Sequence, residues 1–172
     1  NESYSEFGVN KKGEIRFGLS AIKGMGAGAA LAIVKEREDN GPYKDIYDFA
    51  ERVDYSCVNR KAFESLALSG GFDNFAFQRE QYLAANQKGE TFLDVLVRYG
   101  QLFQTEQREA QNSLFGGEQA VEIARPQPVE AEGWSNIEKL NRERDLVGIY
   151  ISAHPLDEFS IILNTMCNTH CS

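Results

Sequence analysis

The feature that most constrains this chain is the stretch Leu19–Val34, LSAIKGMGAGAALAIV, in which three glycines separate two apolar runs. Leu19 and Ile22 lie three residues apart before the glycines. Apolar residues return at helical spacing after them, at Ala30, Ile33 and Val34. Because residues three and four apart share one face of a helix, this pattern predicts two helices joined by a tight turn.

The spacing Leu-x-x-Ile-x-Gly-x-Gly-x-x-x-Ala-x-x-Ile resembles the helix-hairpin-helix motif. Glycines in the turn allow positive φ and a close approach of the backbone to another surface. Backbone N–H groups at the start of the second helix can bind a phosphate without reading any base. The candidate DNA-backbone contacts are Lys23, Gly24, Met25, Gly26 and Gly28. The alternative is that this turn only connects two helices.

A second helix–glycine turn–helix unit follows in NRKAFESLALSGGFD and the residues after it. Its Gly-Gly turn is followed by Asp73, and a carboxylate there disfavours phosphate binding. The better candidates for backbone contact are Asn59, Arg60 and Lys61, at the start of the preceding helix. A solvated helix cap is the alternative interpretation of these three residues.

Charge is distributed unevenly along the 172 residues. Residues 1–88 carry 12 Lys and Arg against 13 Asp and Glu, whereas residues 89–172 carry 6 against 13. The formal net charge of −8 gives little long-range attraction for nucleic acid, yet the nearly neutral first half leaves local phosphate contact open. No apolar run is long enough to span a membrane and the three cysteines suit a reducing compartment, so we expect a cytoplasmic location.

These patterns predict a mainly α fold, a tandem helix-hairpin-helix bundle with a short N-terminal strand. We expect an extended segment over 1–18, the tandem hairpin domain over 19–90 and an amphipathic helix over 91–111. A mobile loop over 112–133 and a helical segment over 134–172 complete the chain. The cysteines and histidine near the C-terminus match no common zinc spacing, and the sequence predicts neither a metal site nor a cofactor.

Three stretches, in this order, resemble bacterial replicative DNA polymerase III alpha subunits: IRFGLSAIKGMG, VNRKAFESLALSGGFD and ERDLVGIYISAHPLDEF. The resemblance covers essentially the whole chain and implies the region after the fingers and before the OB-fold. These enzymes are DNA-directed DNA polymerases, nucleotidyltransferases whose catalytic carboxylates lie upstream in a palm domain. We therefore expect no polymerisation by this segment alone. Its implied partners are double-stranded DNA and the other domains of the polymerase and its holoenzyme.

The pentapeptide QNSLF resembles the motif by which bacterial polymerases bind the sliding clamp. Gln111 would occupy a polar niche on the clamp, while Leu114 and Phe115 would enter an apolar pocket. Asn112 departs from the commoner leucine at the second position. The alternative is that Leu114 and Phe115 pack back onto the long helix.

Two functions from different classes remain open at this point. One is a non-catalytic segment that contacts duplex DNA and tethers a polymerase to its clamp during replication. The other is a purely structural connector between polymerase domains, whose hairpins pack internally. An independent repair module would explain the hairpins but not the stretch GIYISAHPLDEF.

Overall fold

Helices form most of the regular structure, as the apolar spacing predicts. The computed structural model describes residues 1–10, 12–112 and 123–159. Its helices are α1 Ala27–Asn40, α2 Ile46–Arg52, α3 Arg60–Leu68, α4 Arg79–Leu83, α5 Phe92–Asn112 and α6 Asn136–Val147. Single 3₁₀ turns lie at Leu19–Ala21 and Asp157–Phe159. The predicted mainly helical fold class is confirmed. None of the helices within the described ranges is long and apolar enough to cross a membrane.

A two-stranded antiparallel ribbon lies near the N-terminus. Strand β1, Gly8–Val9, pairs with strand β2, Ile15–Arg16, with Val9 opposite Ile15. Asn10 shapes the connecting turn, because its side-chain oxygen accepts hydrogen bonds from backbone N–H groups two and four residues later. The sequence predicts one short N-terminal strand, and the structure has two, β1 and β2.

The run before the first glycine turn is shorter than predicted. The sequence predicts a helix from Leu19, but the structure has one 3₁₀ turn, so this prediction is wrong. The N–H groups of Leu19 and Ser20 donate to carbonyls of the N-terminal segment, at Tyr4 and Ser5. Ile22 then adopts an extended conformation, with φ −75° and ψ 122°, which ends the turn.

The core lies between α2 and α5, and α3 packs against α4, α5 and α6. Phe63 of α3 is fully buried and contacts the rings of Phe49 and Phe72. Helix α5 approaches α2 closely at Gly100, where a Cβ atom would overlap the carbonyl oxygen of Ala50. Glycine at this position therefore sets the distance between the two helices.

Residues 123–133 have no helix or strand but are tied to α2. The Tyr47 hydroxyl donates to the Pro126 carbonyl at 2.6 Å. The Arg125 guanidinium lies over the Tyr47 ring and within 3.6 Å of the Asp45 carboxylate. These contacts hold this stretch against the face of α2.

Candidate nucleic-acid interface

The turn between Leu19–Ala21 and α1 depends on two glycines with positive φ. Gly24 has a φ of +89° and Gly26 a φ of +72°, a region that side chains with a Cβ rarely adopt. Between them, the side chain of Met25 is 3% exposed and belongs to the core. Met25 therefore anchors the turn, and its N–H donates to the Ile22 carbonyl at 3.0 Å, so this predicted contact is occupied within the protein.

The N-terminus of α1 is open. Gly26 occupies the N-cap position, no side chain among the described residues caps the helix, and its first turn contains no acidic residue. The first helical hydrogen bond runs from Ala30 N–H to the Gly26 carbonyl, at 3.1 Å. The preceding N–H groups, at residues 27–29, therefore have no acceptor within the helix. They carry the positive end of the helix dipole and can donate to an anion.

Gly26 and Gly28 border empty space at this helix end. A Cβ atom built on either residue would meet nothing within 4 Å in the described chain. Neither glycine is therefore required by packing inside the protein. The open space adjoins the free N–H groups, so a second backbone or a phosphate can come close to them.

Gly24 has a different role from its two neighbours. A Cβ there would lie 2.7 Å from Ser65 Oγ and 3.1 Å from Lys61 Cε. The absence of a side chain at Gly24 thus lets α3 pack against the turn, and it brings the stem of Lys61 next to the residue that follows Lys23. Lys23 and Lys61 are both exposed, and neither forms an ion pair within the described residues. The structure therefore brings together two lysines that the sequence placed in separate hairpins.

The backbone of Lys23 is fixed on two sides. Its N–H donates to the Leu146 carbonyl of α6 at 2.9 Å, and its carbonyl accepts from Ser65 Oγ of α3 at 2.9 Å. Lys23 therefore offers its ammonium group, but not its backbone N–H, to a ligand. Since the Met25 N–H is also bonded, the candidate backbone donors are the N–H groups of Gly24, Gly26 and the first turn of α1.

Asn59 and Arg60 are occupied within the protein. The Asn59 side chain accepts from the Ala62 N–H at 3.1 Å and caps α3, as the alternative interpretation predicts. Arg60 Nε donates to Asp94 Oδ1 at 2.8 Å, and the same guanidinium pairs with Glu64. Two carboxylates thus balance the Arg60 charge, and of these three candidates Lys61 is the one left free for a phosphate.

The carboxylate of Asp94 is stabilised in its ionised form. Partial burial by itself would raise its pKa, but hydrogen bonds from Thr91 and Arg60 outweigh that effect and lower the pKa to about 2. Arg60 therefore faces a charged partner throughout the physiological pH range, which keeps it in its structural role.

The second glycine turn packs around a network of ion pairs centred on Arg79, and it does not present open backbone N–H groups as the first turn does. Gly70 has a φ of +83°, and a Cβ there would overlap the Arg79 guanidinium. Arg79 Nε donates to Asp73 Oδ1 at 2.8 Å, and its terminal nitrogens donate to Glu143 at 3.0 Å and to Ser152 at 3.0 Å. The ion network at this turn holds α4 and α6 together, whereas the first turn leaves backbone N–H groups open at the start of α1.

Comparison with known proteins finds one matching family model and several similar polymerase subunits. A family model described as the helix-hairpin-helix motif matches residues 1–82, which include both glycine turns. The DNA polymerase III subunit alpha of Caulobacter vibrioides is 34% identical over 158 residues, and that of Deinococcus radiodurans is 38% identical over 159 residues. Each match covers 92% of this chain.

This chain is similar to one segment of DNA polymerase III alpha subunits. The protein of the same name from Chlamydia trachomatis is 36% identical over 163 residues, and it too matches nearly the full chain, at 91%. The chain spans only 13%, 11% and 12% of the lengths of these three relatives. The comparisons therefore relate it to one part of a much longer polymerase subunit.

The pentapeptide QNSLF begins in the last residues of α5. Gln111 lies in the last turn of that helix. Leu114 and Phe115 lie outside the described residues, so the predicted clamp contact stays a prediction. In the described ranges no group of three His, Cys, Asp or Glu side chains is placed to hold a metal ion.

The buried Arg79–Glu143 pair beside the second glycine turn is a feature that the sequence did not reveal. The two residues lie 64 positions apart, in helices whose local patterns are ordinary. Glu143 is fully buried. Burial alone would raise its pKa, but hydrogen bonds from Ser152, Ile151 and Arg79 give a net lowering of the pKa. A single sequence does not show that a glutamate within a helix is buried or which distant residue pairs with it.

Proposed function

We propose that this chain is a non-catalytic segment of a bacterial replicative DNA polymerase that binds duplex DNA through its sugar-phosphate backbone. The observation that carries the proposal is the open N-terminus of α1, where Gly26 and Gly28 border empty space. Lys23 and Lys61 add two charges beside it that form no ion pair with the described residues. Together they form a donor-rich, positively charged surface on an acidic protein. We call these four residues the phosphate surface.

Gly28 gives the sharpest support. A glycine within a helix costs about 0.5–1 kcal/mol relative to alanine, because its unfolded backbone is more flexible. No atom of the described chain occupies the space that an alanine methyl group would fill. An external backbone that approaches the N–H groups of α1 gives a reason for glycine here, since a Cβ would hold it away.

Such a surface is indifferent to DNA sequence. N–H groups and ammonium groups that meet phosphates fix the position of a duplex and carry no base information. This suits an enzyme that copies any template. The proposal also places the chain in the bacterial cytoplasm, where the chromosome is replicated.

Fluorescence anisotropy of a labelled mixed-sequence duplex tests the proposal at several salt concentrations. The test variant combines Lys23→Ala with Lys61→Ala. The matched control combines Lys44→Ala with Lys88→Ala, which removes the same charge from exposed positions on other loops. Each lost phosphate contact reduces the slope of log affinity against log salt by about 0.9, so the test variant should lose about 1.8.

The control separates DNA contact from general charge. We expect the control variant to keep the wild-type slope, because its lysines do not meet phosphates at the turn. Equal slopes for the test and control variants would favour the structural connector instead. If the chain were only a structural connector, all the candidate residues would be expected to have partners within the protein, as Arg60 and Asn59 do.

Tethering to the sliding clamp is the finer part of the proposal. The pattern QNSLF supports it, with Gln111 at the end of a long helix from which the rest of the motif continues. Surface plasmon resonance with immobilised clamp should show a large loss of affinity for Leu114→Ala with Phe115→Ala. The control is Val121→Ala, an apolar residue of the same segment outside the pentapeptide. Unchanged affinity in the double variant would remove the clamp from the proposed function.

A further inference from the structure

Helix α6 connects the first glycine turn with the ion network of the second. The bond from Lys23 N–H to the Leu146 carbonyl, at 2.9 Å, joins α6 to the residue that precedes Gly24. The last carbonyls of a helix have no partner within it, so this bond also satisfies the C-terminal end of α6. The turn therefore takes part of its orientation from the position of α6.

Glu143 holds the same part of α6 from the other side. It lies one helical turn before Leu146 and is fully buried. Its carboxylate accepts from Arg79 at 3.0 Å, from the Ser152 N–H at 2.8 Å and from the Ile151 N–H. These donors come from α4 and from the segment after α6, so Glu143 fixes α6 against both.

The other hydrogen bonds of the turn, within the described residues, lie inside the hairpin itself. Met25 N–H donates to the Ile22 carbonyl, and Ala30 N–H donates to the Gly26 carbonyl. Gly24 and Gly26 have positive φ, which residues with a Cβ rarely adopt. The bonds from α3 and α6 to Lys23, together with the buried side chain of Met25, therefore orient the turn against the rest of the fold.

We propose that Glu143 is a positioning residue for phosphate binding, acting through α6 and the Lys23–Leu146 hydrogen bond. The proposal rests on the proposed function of the phosphate surface, but its structural half can be measured without DNA. An acidic, fully buried residue thereby supports an anion site that it does not touch. Loss of the Glu143 charge would weaken the packing of α6, so the hydrogen bond from the Lys23 N–H to Leu146 would open more often. The turn could then change its conformation, and its N–H groups would no longer point toward a phosphate.

Site-resolved hydrogen exchange of the Lys23 amide tests the structural half in the 172-residue chain. Glu143→Gln keeps the size of the side chain but removes the buried carboxylate that pairs with Arg79. We expect Lys23 exchange to accelerate about tenfold, because opening of that hydrogen bond becomes more frequent. The control is Glu138→Gln on the same helix, a half-exposed glutamate paired with Arg142. Its Lys23 exchange should match wild type.

A milder variant keeps the test decisive if Glu143→Gln fails to fold. Ser152→Ala removes one hydroxyl that contacts both Arg79 and Glu143, and it should accelerate Lys23 exchange by a smaller factor. Wild-type exchange at Lys23 in a folded Glu143→Gln or Ser152→Ala chain would overturn the proposal.

Anisotropy with duplex DNA tests the functional half. Accelerated exchange together with weaker DNA binding in Glu143→Gln supports positioning. Accelerated exchange with unchanged binding overturns it if the variant Lys23→Ala with Lys61→Ala does weaken binding. If neither variant affects binding, the proposed function fails instead, and the functional half fails with it.

Discussion

Replacement of Gly28 by alanine should stabilise the protein and weaken its binding to DNA. Gly28 is the second residue of α1, its φ is not positive, and a new Cβ would meet nothing within 4 Å. Alanine there should raise the free energy of unfolding by about 0.5–1 kcal/mol, because it restricts the unfolded chain and suits a helix better. The same methyl group would stand where we propose that a phosphate approaches the free N–H groups of α1.

The size of the loss in affinity follows from the bond at stake. A hydrogen bond to a charged group contributes about 1.5 kcal/mol or more, so the loss of one N–H to phosphate contact should weaken binding about tenfold. Urea unfolding measures the first effect and duplex anisotropy the second. Asn40→Ala, at the opposite end of α1 and about 18 Å away along the helix, is the control that should leave binding unchanged.

Gly26→Ala provides a contrast at nearly the same place. Its Cβ would also meet open space, but its φ of +72° and ψ of 142° form a backbone conformation that is nearly restricted to glycine, so the variant should lose about 1–3 kcal/mol of stability. Both variants should weaken DNA binding although they change stability in opposite directions. Full affinity in a stabilised Gly28→Ala chain would refute the reasoning about close approach.

Three further predictions concern the fold that carries this surface. Gly100→Ala should lower the free energy of unfolding by about 2–4 kcal/mol in urea, because its Cβ would overlap backbone of α2 that cannot give way. Asn59→Ala should cost about 1 kcal/mol by thermal or urea unfolding through the lost α3 cap, with no change in the salt slope of DNA binding. The Asp94 carboxylate has a folded pKa of about 2 against an ordinary 3.8, so its stabilising effect is complete above pH 4 and is lost as the pH falls toward 2. Since the Asp94 side chain is 35% exposed, that effect should be about 1 kcal/mol, and Asp94→Asn should flatten the unfolding free energy over this pH range.

Local patterns were enough to predict most of the helices. The periodic apolar residues of α5 and the glycines around the first turn are signals that act within a few residues, and the structure has a helix and a turn at those places. The helix predicted from Leu19 stops after one 3₁₀ turn because Ile22 is extended and the Lys23 N–H donates to the Leu146 carbonyl of α6 instead of to the preceding turn. This competing acceptor lies far along the chain, and periodicity does not detect it.

The candidate site was predictable in its residues but not in their division of labour. Gly24, Gly26 and Gly28 occupy every second position and look equivalent in the sequence. In the structure, however, the absence of a side chain at Gly24 lets α3 pack against the turn, whereas a Cβ at Gly28 would meet nothing within 4 Å in the described chain. Arg60 looks as available as Lys61 until Asp94, 34 residues later, is found beside it. Only the folded chain shows which of these groups is already bound and which is free.

The roles of arginine and lysine explain how an acidic chain can offer a cationic surface. Within the described residues every ion pair uses an arginine, except the one between Lys139 and Glu80. The planar guanidinium suits fixed pairing with carboxylates, whereas an ammonium group is well hydrated and loses little when left in water. Lys23 and Lys61 are therefore not neutralised by the acidic residues that set the net charge. Since screening confines surface fields to about 8–10 Å in physiological salt, a phosphate at the turn responds to these two lysines and the N–H groups of α1 more than to distant carboxylates. The net charge of −8 thus lowers the rate at which DNA is drawn from a distance, while leaving the strength of a contact at the turn largely to the groups that form it.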